Sequence, residues 1–284
     1  MQQRSIGSTS VSAIGLGGMP MSVEGRPDEA RSLRTIHSAL DAGVTLIDTA
    51  DAYCLSADDV GHNERLLAKA LSSYSGDPSQ VLIATKGGHT RTADGGWEVD
   101  GSPAYLKKAC DASLAALSVD AIGLYQYHRP DPKVPYADSV GALKELQDAG
   151  KVRMVGISNA TIAQIDEARS IVDLASVQNQ YSPAFLGSAA ELAHCADLGI
   201  AFLPWSPLGG IGRAGDLGGK HAAFQQVAQA RGVSAQQVCL AWMLATAPVV
   251  IPIPGASRPE SISDSAGAAE LQLTDEELAS LNAG

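Results

Sequence analysis

Short runs rich in Val, Ile and Leu alternate with longer amphipathic stretches along the whole chain, the pattern of repeated β-α units. Eight of the short runs read as strands: Ala13–Leu16, Thr45–Asp48, Val81–Lys86, Ile122–Gln126, Val152–Ser158, Ser176–Asn179, Ala201–Trp205 and Val249–Ile251. Between them, Asp28–Ala42 puts Leu33, Ile36 and Leu40 on one face and stops at Gly43, and Asp138–Ala149 does the same with Val140, Leu143 and Leu146 before Gly150. Glycine after the last apolar turn is a helix stop. Ser102-Pro103 opens a third helix, and Ser234 with Gln237 and Thr274 with Glu277 have the spacing of capping boxes.

No long linker, charge block or low-complexity segment divides the 284 residues, so one domain spanning 1–284 is expected. Eight strands alternating with helices favour a single closed (β/α)8 barrel of the TIM type, with an open doubly wound sheet as the alternative on pattern alone. Arg4–Ser8 reads as a small hairpin capping the barrel floor, and the Gly-rich Leu208–Lys220 as a mobile loop.

An apolar fraction of 45% and a charged fraction of 18% belong to a globular chain and not to a disordered one. The formal net charge of -11 argues against a general nucleic-acid or anionic-membrane surface, which would reward clustered Lys and Arg. Cys54, Cys110, Cys195 and Cys239 stand far apart, with no C-x-x-C pair and no His at metal-ligand spacing; reduced thiols, no metal and a cytoplasmic location are the reading. Residues 1–5 lead into Ser and Gly instead of an apolar stretch, so no secretory signal is expected. The longest apolar region, Val238–Ile253, is interrupted by Thr246, Pro248 and Pro252 and is too short to cross a bilayer.

Gly210-Ile211-Gly212-Arg213-Ala214-Gly215 matches G-x-G-x-x-G, but Pro204 and Pro207 precede it and no clean helix follows. It therefore reads as loop glycines and not as a Rossmann fingerprint. In a barrel the active site is built on the rim at the C-terminal ends of the strands. Asp48 ends the second strand, Tyr53 lies in the loop after it, Lys86 ends the third strand and His128 follows the fourth, so four polar groups converge on one mouth. A lysine ending an apolar strand needs a counter-charge, which Asp48 on the adjacent strand is placed to supply. A lysine beside a tyrosine favours the phenolate and should lower a pKa of about 10. That suits a general acid, or a base in the reverse direction. Taken singly, each residue has a bland structural explanation; together at strand ends they point to catalysis.

The segments Leu46–Tyr53, Asn63-Glu64, Ala84-Thr85-Lys86, Gly156–Asn159, Gln178–Ser182 and Ile253-Pro254-Gly255 resemble the aldo-keto reductase family, in order and across nearly the whole chain. The resemblance implies that Asp48, Tyr53, Lys86 and His128 form the catalytic tetrad, with Tyr53 as proton donor, Lys86 and Asp48 tuning it and His128 orienting the carbonyl. It also implies that Ser158, Asn159 and Gln178 hold the nicotinamide amide, a group that needs donors and acceptors in a fixed plane. By the same resemblance Trp205 stacks on the nicotinamide where tyrosine is usual, and Ser206, Leu208 and Gly209 lie along the pyrophosphate.

Many family members place a Lys early and an Arg late in the segment 253–261, where this chain has Gly255 and Ser261. Arg258, with Ser257, is the remaining cation for an adenosine 2'-phosphate, so NADP(H) is favoured while NAD(H) stays open. The loop Cys54–His62 also lacks the glycine that commonly follows the family's tyrosine. If the loops follow the family, Met19, Tyr53, Trp97, His128 and Trp205 wall the substrate pocket. The expected activity is reduction of aldehydes or ketones by direct hydride transfer. The rivals are a sugar or pyridoxine-type alcohol dehydrogenase on the same site and a nicotinamide-binding regulatory subunit. The expected partner is a small carbonyl or alcohol, with neither nucleic acid nor membrane.

Overall fold

The computed structural model describes residues 1–283. A hairpin opens the chain, β1 (Gln3–Ile6) and β2 (Thr9–Ser12) pairing antiparallel around Gly7, whose φ of 53° permits the tight reversal. There follow β3 (Leu16–Gly17), β4 (Leu46–Asp48), β5 (Leu82–Gly87), β6 (His89–Arg91), β7 (Trp97–Val99), β8 (Ile122–Tyr127), β9 (Val152–Ser158), β10 (Leu174–Gln178) and β11 (Ala201–Phe202). β6 and β7 form a second hairpin, and the other seven make one parallel sheet in the order β11-β10-β9-β8-β5-β4-β3. Helices such as Glu29–Asp41, His62–Ser73, Pro103–Leu117, Tyr136–Asp148 and Ile162–Ile171 link successive strands.

Local chemistry accounts for the helix ends. Asp28 and Ser102 accept from the amides of Arg31 and Tyr105, while Gly43 and Gly150 follow their helices at φ of 84° and 74°. Thr274 and Glu277 form the reciprocal pair of a capping box. Ser234 makes only half of one, because the Gln237 side chain donates to Asp264 instead.

The expected strand Val249–Ile251 is absent as a regular strand. Pro252 and Pro254 have no N–H to give, so no continuous ladder can form. The segment nonetheless reaches both edges of the sheet. On one side Phe202 N–H donates to Val249 O at 2.8 Å and Ile251 N–H to Phe202 O at 2.9 Å; on the other, Gly15 and Gly17 N–H donate to Pro252 O and Pro254 O, both at 2.9 Å. Pro204 shortens the run Ala201–Trp205 to two residues in the same way. One further expectation changes: the stretch Leu208–Lys220 contains a 3-10 turn at Ala214–Asp216 and a helical turn at Leu217–Lys220.

Alternation along the strands decides which side chains face the interior. Leu46, Leu82, Ala84, Leu124, Leu203, Ile251 and Ile253 share one buried cluster with Ile6 and Val11 of the first hairpin, which plugs it from below. Residues of opposite parity, such as Tyr125, Val155 and Ile157, pack outward with Leu106, Leu143 and Ile165 of the helices. The interior parity that holds Leu46, Ala84 and Leu124 continues into Asp48, Lys86 and Gln126, so the apolar stack gives way to a charged layer at the C-terminal strand ends.

Candidate active site

Lys86 is fully buried, and its ammonium uses all three donors: Asp48 Oδ2 at 2.7 Å, Thr49 O at 2.8 Å and Tyr53 Oη at 3.0 Å. Asp48 Oδ1 in turn accepts from Gln178 Nε2 at 2.7 Å. A buried ion pair is tolerated when its remaining lone pairs and protons are satisfied, and this layer meets that condition. Gly156 makes room for it, since a methyl there would collide with Ser176 and Gln126.

The loop carrying Tyr53 is fixed without a glycine after the tyrosine. Tyr53 N–H donates to Ala50 O and Cys54 N–H to Ala52 O. Arg91 donates to Leu55 O at 2.7 Å, and Arg26 pairs with Asp59 at 2.6 Å. Gly61, at φ of 79°, returns the chain to the next helix.

The titration of the site differs from the sequence expectation in one respect. Burial pushes the Tyr53 phenol above its ordinary pKa, and the attraction of Lys86 offsets this only in part. The phenol is thus protonated at neutral pH, as a proton donor must be, and Lys86 keeps it a stronger acid than burial alone would leave it. Burial alone would lower Lys86, but Asp48 and Tyr53 reverse that and raise it. His128 is pushed far below the usual imidazole range by burial and by the neighbouring Lys86, His89 and Arg129. It is therefore neutral, with one ring N–H to give. Its Nδ1 is buried without a partner among the described residues, and its ring stands edge-on to Tyr53 at 5.7 Å.

Asp48, Tyr53 and His128 open into a cavity of about 930 Å³ that also meets Met19, Trp97, Ser158, Asn159, Gln178, Trp205, Ser206, Leu208, Ser257 and Arg258. Every candidate residue but two is on its wall. Lys86 lies behind Asp48 and Tyr53, and Gly209 forms a turn, its N–H donating to Ser206 O at 3.0 Å, with Gly210 on the wall instead. Gly255 and Ser261, the positions of the two missing family cations, line the cavity beside Arg258.

Sequence reasoning missed three features. His89 lines the cavity from the second hairpin, stacked on Trp97 at 4.5 Å, with a pKa lowered to about 4 chiefly by burial. Arg129, directly after His128, also lines it. Gly210, Gly212 and Gly215, set aside as loop glycines, form part of the wall as well. Arg129 had a sequence signal in its adjacency to a rim histidine and the glycines in their spacing; His89 had none.

The residues present fit a nicotinamide dinucleotide. Amide and hydroxyl side chains gather at the Tyr53 end: Ser158 Oγ donates to Gln178 O at 2.7 Å, and Asn159, at φ of 57°, donates to His128 O at 3.0 Å. Trp205 Nε1 donates to Asn159 Oδ1 at 3.2 Å, fixing an indole on the wall. At the far end stand Ser257, Arg258 and the N-terminus of helix Pro259–Gly267, suited to phosphate. Among the described residues no cluster of three or more metal-ligating side chains occurs and no helix is long and apolar enough to cross a membrane.

The model of the aldo/keto reductase family matches residues 13–283. An uncharacterized oxidoreductase of Schizosaccharomyces pombe is 34% identical over 281 residues, covering 98% of this chain and 88% of its own. Among solved structures, a glycerol dehydrogenase of Gluconobacter oxydans superposes with a TM-score of 0.85 at 27% identity over 99% of this chain and 94% of that one. An aldo-keto reductase of Klebsiella pneumoniae in complex with NADPH gives 0.82 at 27% identity, over 100% and 95%.

Proposed function

The chain belongs to the aldo/keto reductase family, and from that premise we propose that it is an NADPH-dependent reductase of aldehydes or ketones in which Tyr53 is the proton donor. The observation that carries this reading is the Lys86 ammonium, held by Asp48 and Thr49 and donating to Tyr53 Oη at 3.0 Å. We read Val249–Gly255 as the eighth stave of a (β/α)8 barrel formed by the whole chain as one domain, supported by its hydrogen bonds to both edges of the sheet.

The reduced nicotinamide supplies the hydride that the carbonyl carbon accepts. The protein's part is to hold the carbonyl oxygen between Tyr53 Oη and neutral His128, and to pass it the phenolic proton as negative charge grows there. Lys86 then stabilises the phenolate left behind. Ser158, Asn159 and Gln178 orient the carboxamide of the cofactor and Trp205 stacks on its ring. Because the Asn159 amide is already bonded to His128 O, Ser158 and Trp205, it acts chiefly by keeping that corner rigid. Ser206 and Leu208 follow the pyrophosphate, with Gly210 in the place expected of Gly209, and Met19 and Trp97 flank the substrate. Alcohol oxidation on the same groups is a second reading, favoured by the similarity to a glycerol dehydrogenase. NADPH consumption with a panel of aldehydes, ketones and quinones, beside NADP reduction with polyols, tests both.

Arg258 reads the adenosine 2'-phosphate in this account. It starts helix Pro259–Gly267 and lines the cavity with no ion pair among the described residues. A charge-assisted contact of this kind contributes about 1.5–3 kcal/mol, so Arg258→Ala should weaken NADPH binding roughly ten- to a hundredfold and leave NADH binding nearly unchanged. Fluorescence titration with each cofactor separates the cases; equal weakening of both would assign Arg258 to loop support and remove the NADPH preference.

A further inference from the structure

We propose that Arg129 is a specificity-determining residue that binds a carboxylate on the substrate, so that the preferred substrates are carbonyl compounds bearing an acid group. The inference rests on the reductase reading above and adds the substrate class to it.

Arg129 is half-buried on the cavity wall and makes no hydrogen bond or ion pair among the described residues. Other arginines of this chain do: Arg26 with Asp59, Arg91 with Glu24 and Arg231 with Glu277. The nearest acid in sequence, Asp131, is turned away, accepting from the amides of Gly101 at 3.0 Å and Lys133 at 2.9 Å. Asp48, the acid on the cavity wall, is neutralised by Lys86. The guanidinium is therefore a cation on the cavity wall with no protein anion paired to it among the described residues, open to an anionic group of a ligand.

The backbone that carries it is held on both sides. His128 N–H donates to Gly87 O at 2.9 Å, Asn159 Nδ2 donates to His128 O at 3.0 Å, and Asp131 N–H donates to Tyr127 Oη at 2.8 Å. Pro130 further confines Arg129 to extended backbone. A guanidinium carried on this held backbone, one residue from the histidine that meets the carbonyl, can grip a second group of the same substrate, and its fork matches the two oxygens of a carboxylate.

The charge count selects a monoanion. His89 and His128 are both held neutral, so one positive charge faces the substrate end, the charge that a single carboxylate balances. Trp97, stacked on His89, and Met19 supply the apolar surface for the carbon skeleton between the two groups.

The test compares 4-carboxybenzaldehyde with its neutral isostere methyl 4-formylbenzoate at saturating NADPH and low ionic strength. The wild-type protein should show the higher kcat/KM on the acid, and Arg129→Gln should lower the acid-to-ester ratio roughly ten- to a hundredfold, with Arg129→Lys keeping part of it. Added salt should lower the wild-type ratio, a readout that needs no variant to fold. A wild-type ratio at or below one, a ratio that Arg129→Gln leaves in place, or a preference for 4-formylphenyl phosphate over both would overturn the assignment. Turnover of the ester without preference for the acid would remove this inference alone, whereas turnover of no carbonyl compound in the wider panel would remove the reductase reading as well.

Discussion

Tyr53→Phe should lower carbonyl reduction by roughly 10²–10⁴-fold, the usual contribution of a positioned general acid, while NADPH still binds. The substitution deletes only the Oη that accepts from Lys86 at 3.0 Å; the ring keeps its place, and Lys86 retains Asp48 and Thr49. Loss of the proton donor removes an interaction realised in the transition state, so the fall should appear in kcat. Steady-state rates and a cofactor titration on the same preparation check both halves. Turnover within a few-fold of the wild type would mean that the proton comes from elsewhere, and the role given to Tyr53 would fall.

Lys86→Met should be costly twice over. It leaves Asp48 as an unpaired charge in the interior, where breaking a buried pair costs about 3–5 kcal/mol, and it removes the cation that stabilises the Tyr53 phenolate. Stability measured by denaturant should fall accordingly, and activity should fall about as far as in Tyr53→Phe. Asp48→Asn should lose less activity, because the Lys86 charge persists beside Tyr53. The pH dependence has a definite sign. Burial opposes the Lys86 charge, but Asp48 and Tyr53 outweigh it and raise the folded-state pKa. The pair's stabilisation is therefore fully present below the unfolded-state value of about 10.4 and is lost as pH rises through the folded one. The stability gap between wild type and Lys86→Met should be flat from neutral pH to about 10 and narrow only in stronger alkali; a gap that closed near neutrality would contradict the ion-pair account.

Much of this arrangement could be read from the chain. β5, β8 and β9 fall close to their expected bounds because each is rich in Val, Ile or Leu, and strand parity carries Asp48 and Lys86 inward beyond Leu46 and Ala84. Expectation failed where the deciding physics is not local. Val249–Ile251 has the composition of a strand, but Pro252 and Pro254 leave its ladder to carbonyl acceptors on one side. The β6–β7 hairpin has no apolar alternation to announce it; it is held by cross-strand neighbours and by Arg91 lying over Trp97 at 4.1 Å. The direction of the Tyr53 shift depends on desolvation, which a neighbouring lysine in the sequence does not disclose. Gly210, Gly212 and Gly215 failed a motif test framed for another fold, yet they line the cavity.

The central claim, direct hydride transfer to a carbonyl carbon on this site, is tested most directly by isotope. NADPH carrying deuterium at both C4 positions is incubated with the protein and a reducible aldehyde in ordinary water, and the alcohol product is examined by mass spectrometry and NMR. The account predicts one deuterium on the carbinol carbon and a hydroxyl proton from the medium, delivered through Tyr53; an alcohol with only protium at that carbon, or oxidised cofactor with no alcohol formed, would contradict it.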